Sequence, residues 1–503
     1  MPVNLRNWCR GNKPPKGGCV DKSKILFVDW RDILCGRLEW RTAEGARLGV
    51  ANPPEPPVPV HAHPYRVPHG IRLEAQPATT EGPVGWKGWG RIIRDGGNYR
   101  SWHFEINGHS KLGSGSAAHT GQPDSVFICG VESADGFEWR EVSRCRIQVA
   151  SQRGFDGVGF FIDPVAPPEE RYKLVYCATF PEGAHDDMVR AYLERPARHR
   201  DERISWERRY GLFCAVSADG ESWTSVNKPF ALHPSDTDTT VLWEEHLGKY
   251  VMYTRMFENA RRWIGRAEAV DFREWSPVAP VVWPGPAAPP DRDYYLNGYS
   301  RYPGLAEYQL MFPMVYQRFT ERSDIHLFSS GDGVTWSEVP GGPVIRPGAP
   351  DAWDSEFLGS GKDLMPFGPD RVAIPYSGTS FPHKYPRFQS VWDSFDMGWA
   401  SWQRDRICAV VADGEGEFWT QPVLPAAGRI RLNYRAPTAG VIHVGIEGVD
   451  GRSAADCDPL TGDQIDRVVT WGGAADPLTE VQGKPVTLHI RMRCAELFCL
   501  DLS

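Results

Sequence analysis

Apolar and polar positions along this chain alternate in short runs, and the runs come in a fixed order that recurs. Residues 236–243 form an acid-led apolar run, 247–256 a second apolar run with Gly and Tyr near its start, and 264–270 a third that ends in an Asp-turn-Trp hairpin, Asp271 to Trp275. Runs of this length, rich in β-branched and aromatic residues, predict strands. The acid-led run returns at 81–93, 156–163, 293–298 and 354–359, and the second strand at 97–104, 171–176, 307–312 and 370–376. The hairpin returns at 133–139, 217–223 and 330–336, while in the fifth copy 411–419 takes its place imperfectly. The leading acids are 75, 80, 57 and 61 residues apart. Repeats of this length, made only of short strands and Asp-Gly hairpins, predict an all-β fold. The fold expected is a five-bladed β-propeller in which the fourth strand of each blade follows its Trp hairpin.

The flanks break the repeat. Residues 1–74 read as an N-terminal arm with a short strand at 24–29 and a Pro-rich connection, and 75–425 as the propeller. Alternating strands at 428–434, 440–446, 467–471 and 486–492 make 426–503 a small C-terminal β-sandwich. Two insertions interrupt the blades. One, at 183–209, is charged and predicts a helix over 186–194. The other runs from His383 through Trp392, Trp399 and Trp402, and its rings fit either a sugar-stacking surface or packing against the body.

Composition then narrows the function classes. Twenty Trp, 43 Pro and 51 Gly suit a sheet- and turn-rich chain. The net charge is −8 and no Lys/Arg run tracks a phosphate backbone, so no nucleic-acid partner is expected. No stretch of 18 apolar residues predicts a membrane span. Residues 1–24 lack the apolar centre of a signal peptide, so the chain as written reads as cytoplasmic; a missing leader would make it secreted or periplasmic. Eleven Cys without a CxxC pair argue against both a zinc site and a full disulfide framework. His61 and His63 share a strand face but have no third ligand nearby in sequence. No cofactor and no catalytic metal are expected. Carboxylates converging on a propeller axis would suit a structural Ca²⁺ there.

Those carboxylates are the candidate chemistry. Blades are related by rotation, so residues at one phase of every repeat converge near the axis. Glu81, Asp156, Asp236, Asp293 and Asp354 hold that phase, with Asp238 and Glu356 two positions on. Like charges raise one another's pKa, which suits a general acid beside a base. The competing reading is that such acids cap backbone N–H groups at blade starts. Arg153, Trp243, Arg255, Tyr294, Asn297, Lys362 and His383 lie close in sequence as candidate substrate-binding groups, able to hydrogen-bond hydroxyls or stack on a sugar ring.

With these repeats, the segments Leu26-Phe-Val-Asp29, Gly97-Asn-Tyr-Arg100, Arg171-Tyr-Lys173, Leu247-Gly-Lys-Tyr250 and Pro459-Leu-Thr-Gly-Asp463 give the chain a resemblance. It resembles five-bladed propeller glycoside hydrolases of families 32 and 43, including a little-characterised family 32-like bacterial branch. Those families typically carry Asp, Asp and Glu in their first three blades. Here the order is Glu81, Asp156 and Asp236 or Asp238. The hairpins also resemble the Asp-boxes of sialidases, which are structural. The resemblance implies a hydrolase acting on a furanoside or related glycosidic bond, with Asp156 and Asp236 the central pair and a carbohydrate as substrate. A non-catalytic carbohydrate-binding propeller and a glycoside phosphorylase are the alternatives. The sugar, the linkage and the oligomeric state are not legible.

Overall fold

A computed structural model describes residues 24–34, 40–41, 47–48, 68–86, 92–106, 109–111, 126–147, 156–196, 210–258, 260–383, 395–423, 428–474, 481 and 484–502. The chain is all-β, a β-propeller with a small β-sandwich at its C-terminal end, and it divides into two compact units. One is 75–407; the other joins 1–74 to 408–503. The expected boundary at 425 therefore falls at 407. Strand Cys408–Trp419, which holds the imperfect fifth hairpin, belongs to the second unit and not to the last blade. Among the described residues no helix is long and apolar enough to cross a membrane.

In the first unit five antiparallel sheets follow one another, each with a path of four strands. Their first strands are Ile92–Asp95, Asp156–Ile162, Thr240–Glu244, Tyr299–Tyr302 and Phe357–Ser360. The fourth strand of the last sheet is supplied from before the first: Thr79–Glu81 pairs with Asp396–Gln403. This pairing joins the two ends of the unit in one sheet, so neither edge is left open to other chains. A three-stranded sheet, Arg292–Tyr294, Met314–Gln317 and Arg322–Ile325, is inserted in the fourth repeat. The charged insertion forms the helix Asp186–Leu193, as its pattern predicts; Val189 and Tyr192 bury the apolar face.

The recurring hairpins pin one sheet to the next. In the second sheet the Asp219 carboxylate accepts from the backbone N–H groups of Glu221 and Ser222, and Ser217 Oγ accepts from that of Gly220. Gly220 has φ +78°, which L side chains rarely adopt. Its carbonyl accepts from Trp223 Nε1 at 3.2 Å and from Trp102 Nε1, in the preceding sheet, at 2.7 Å. The same arrangement joins Tyr253 to the Gly333 carbonyl at 2.7 Å. Trp399 of the last sheet reaches the Gly136 carbonyl of the first at 2.9 Å. Trp399 and Trp402 thus serve packing, being 0% and 4% exposed, and neither offers a sugar-stacking face. The third hairpin has Phe272 where the others have Gly. Its ring instead packs against Phe161, Phe230 and Tyr250.

The second unit is built around Leu488–Asp501. Along one edge it pairs with Val441–Ile446 and Arg431–Ala436, and along the other with Cys408–Trp419 and Lys24–Leu26. The strands expected in this region are present, shifted by a few residues; the strand expected at 467–471 is Gly462–Val468. The pattern could not show that Lys24–Leu26 and Arg72–Ala75 complete this sheet from the other end of the chain.

Candidate active site

The first strands of the first four sheets, and the segment just after the first strand of the fifth, meet at one cavity. It measures about 410 Å³ and is lined by Ile93 and Arg94, Phe161 and Ile162, Thr240 to Trp243, Tyr299 and Arg301, and Lys362 to Met365. One contribution from each sheet identifies the propeller axis. The axis has two ends, and the candidate residues divide between them.

At the end where the first strands begin, Asp156 opens the second sheet and Asp236 and Asp238 lead into the third. These neighbours approach closely. Gly157 has φ +60°, and a Cβ there would lie 2.6 Å from the Thr237 carbonyl oxygen and closer still to that of Ser235. Only glycine fits such a contact. The backbone therefore sets Asp156 and Asp236 beside one another, each one residue from the point of contact. The Asp236 carboxylate is 41% exposed and forms an ion pair with the Arg255 guanidinium, itself only 2% exposed. Arg255 is fixed in turn through its carbonyl, 2.6 Å from His233 Nε2. A buried arginine thus holds an open carboxylate in one orientation. Asp238 is buried at 8% exposure, its Oδ1 packed where Gly159 lacks a Cβ.

An aromatic wall stands at the starting ends of the fourth and fifth sheets. His383 stacks on Phe357 with ring centroids 4.7 Å apart and meets Tyr295 and Tyr316 edge-on. The Arg262 guanidinium lies 4.3 Å over the Tyr295 ring. Burial, with Glu321 nearby, pushes the Tyr316 phenol well above its ordinary value, so it stays a hydrogen-bond donor. Tyr295 and Tyr316 were not singled out by the sequence; the pattern pointed one residue away, to Tyr294, which is buried against Phe328.

At the cavity end Lys362 is 2% exposed and donates to the Phe160 carbonyl oxygen. Beside it stands Asp363, with φ +63°. Its side chain is 46% exposed, although it lies deep among protein atoms, because its open surface faces the cavity. Burial pushes its carboxyl up from the ordinary carboxylate value, the Asp238 charge adds to this, and Lys362 and Arg301 oppose it. Trp243 lines the same cavity and meets Tyr250 edge-on at 4.9 Å. Asp363, Tyr299 and Arg301 escaped the sequence reading. The one available signal was an Asp directly after a Gly-Lys turn, where Asp tolerates a left-handed backbone.

The remaining expected acids are each paired or buried elsewhere. Glu81 lies on the fourth strand of the last sheet, paired with Arg371, so its phase in the repeat is wrong. Asp293 sits in the inserted three-stranded sheet at 0% exposure. It bonds to Arg262 at 2.8 Å and Arg318 at 3.0 Å, a structural charge cluster. Asp354 is 4% exposed and accepts from the Tyr376 hydroxyl at 2.7 Å. Glu356 forms a two-pronged pair with Arg322. Asn297 is spent on structure: its Oδ1 accepts from Thr240 Oγ1 at 2.9 Å and from the Tyr299 N–H at 3.0 Å. Arg153, like His61 and His63, lies outside the described residues.

No protein-family model matches the chain, and no curated protein does. Among solved structures it is similar to a glycoside hydrolase at 15% identity and TM-score 0.40, covering 67% of this chain and 91% of that one. It is similar to a β-1,2-mannobiose phosphorylase from Listeria innocua at 11% identity and TM-score 0.41, covering 67% and 92%. A family 117 glycoside hydrolase from Zobellia galactanivorans matches at 15% identity and TM-score 0.37, covering 66% and 90%. Likeness at this level carries no argument about chemistry. The candidate site stands on its own geometry.

Proposed function

We propose that this five-bladed propeller is a carbohydrate-active enzyme that cleaves a glycosidic bond at the axial mouth, with Asp156 and Asp236 as its acid–base carboxylates. The observation that carries this reading is the Gly157 contact, which places those two acids on touching segments of adjacent sheets. One carboxyl group protonates the departing glycosidic oxygen. The other activates water or attacks the anomeric carbon, and the separation of the two sets inversion or retention. Arg255 holds Asp236 in one orientation, which fits it for the base or nucleophile role. The rings of Tyr295, Tyr316 and His383 pack on one another and against Arg262; with Tyr295 and Tyr316 buried, they form a packed cluster and not a stacking face for a sugar.

A panel of aryl glycosides and polysaccharides, read for reducing ends with and without inorganic phosphate, tests the reading. Turnover without phosphate that falls at least ~10²-fold in Asp156→Asn and in Asp236→Asn supports it. Turnover only with phosphate identifies a phosphorylase. Sugar binding without turnover identifies a binding module.

A further inference from the structure

The first sheet carries a second cluster of chemically capable groups, away from the axis and independent of the proposed activity. His103, Cys129 and Glu141 each direct one ligand atom to a common point, and those atoms all lie within 4.8 Å of one another. They come from three adjacent strands, Asn98–Ile106, Val126–Ser133 and Arg140–Ile147. His103 and Cys129 are directly opposed across the first two. Glu141 reaches the same face through a β-bulge. Arg144 opposes Cys129 and Ser143 opposes Gly130, but the register then slips, so that Glu141 and not Val142 opposes Val131. Val131 and Cys129, two positions apart on one strand, share a face. The bulge therefore turns the Glu141 side chain onto the His103–Cys129 face, the kind of re-aiming bulges perform.

We propose that His103, Cys129 and Glu141 form a binding site for a borderline divalent cation of the zinc class, with water as the fourth ligand. Sulfur, imidazole nitrogen and carboxylate oxygen are the three donor types that zinc takes, and a tetrahedral site needs its ligands roughly 3.5 Å apart. The remaining adjustment falls to Glu141, whose exposed side chain is free to change rotamer. An independent sign is His103 Nδ1, which is shut off from solvent and has no hydrogen-bond partner among the described residues. A buried polar atom left in that state calls for an unseen partner. Burial also lowers the His103 pKa and leaves the ring in the neutral form that ligates metal. Burial pushes the Cys129 thiol up to about 12, so the metal must displace its proton: the S–H bond breaks, a metal–sulfur bond forms and H⁺ leaves to solvent. The Arg144 guanidinium, with Nη1 3.8 Å from Cys129 Sγ, is already paired with Glu105 and does not compete as an unbalanced charge. The cysteine count could not reveal the site, because its three ligands are far apart in sequence and one is placed by a bulge.

The full chain, stripped with a chelator, tests this with Zn²⁺ and with Co²⁺ as a spectroscopic probe. Wild type should take up one zinc per chain, and its cobalt form should show thiolate-to-cobalt absorption in the near ultraviolet. Cys129→Ser should lose that absorption and bind zinc at least ~10-fold more weakly. Glu141→Gln, a change at an exposed position that leaves the fold intact, should also bind zinc more weakly while keeping the thiolate band. Circular dichroism of the metal-free variants shows that each is folded. Absence of the band in wild type, or zinc affinity unchanged in both variants, overturns the proposal.

Discussion

Lys362, two residues beyond the first strand of the last sheet, donates from its ammonium group to the backbone carbonyl of Phe160 in the first strand of the second. The two sheets are not neighbours in the ring, so the bond is a strut across the propeller axis. Both residues are buried, and Lys362 lines the cavity that holds Asp363.

Removing the strut should therefore be felt as stability. Lys362→Met leaves the Phe160 carbonyl without its donor and should cost about 1–3 kcal/mol, the usual penalty for an abandoned buried partner. It also removes the cation that holds the Asp363 pKa down, so that carboxyl should titrate at a still higher pH. Urea denaturation measures the first effect, and carboxyl-resolved NMR titration the second.

Asp363 itself should be a net cost at neutral pH. Its folded pKa lies above the unfolded value, so between the two the folded state holds a proton that the unfolded state has already lost. Stability from this group accordingly falls as pH rises through that window. Asp363→Asn should raise the melting temperature at pH 7, have little effect below the ordinary carboxylate pKa, and leave turnover in place. Loss of turnover by ~10²-fold would move the chemistry from the mouth to the cavity.

The hairpin acids behave in the opposite sense. Backbone N–H donors hold Asp219 below the usual carboxylate range, and Asp332, though burial opposes the shift, is likewise lowered by its hairpin N–H groups. Their contribution is present above the unfolded carboxylate pKa, near ~3.9, and is lost as pH falls through the folded value. Asp219→Asn combined with Asp332→Asn should flatten the acid side of a melting-temperature curve against pH by lowering the melting temperature above the unfolded carboxylate pKa, pH 7 included, while changing it little below the folded values.

Asp293 separates structural from catalytic acids. Asp293→Asn leaves Arg262 and Arg318 facing a neutral amide in a buried site, and should cost about 3–5 kcal/mol. A chemical denaturation curve shifted to lower urea is the expected result. Unchanged stability would return Asp293 to the list of open carboxylates.

The repeat was legible because its parts are local. An Asp-turn-Trp hairpin is fixed by hydrogen bonds between residues two and three apart, such as those from Glu221 and Ser222 to Asp219, and the composition of seven residues suffices to specify it. The helix Asp186–Leu193 and the strands Lys249–Glu258 and Tyr172–Thr179 are equally local. Asp156 and Asp236 could be chosen because one opens a first strand and the other leads the segment into the next.

Tertiary structure decided what repeat phase cannot carry. Glu81 has the right place in the pattern, but ring closure assigns its strand to the last sheet, a choice made by pairing with residues more than 300 positions away. Asp293 was captured by two arginines, one from the neighbouring sheet and one from the turn after Met314–Gln317, and Asp363 was brought to the cavity with a left-handed backbone. The sequence determined which segments become strands, since strand formation depends on neighbours along the chain. Whether a carboxylate on such a strand stays open or is neutralised depends on which side chains arrive across the sheets, and only the closed ring determines that.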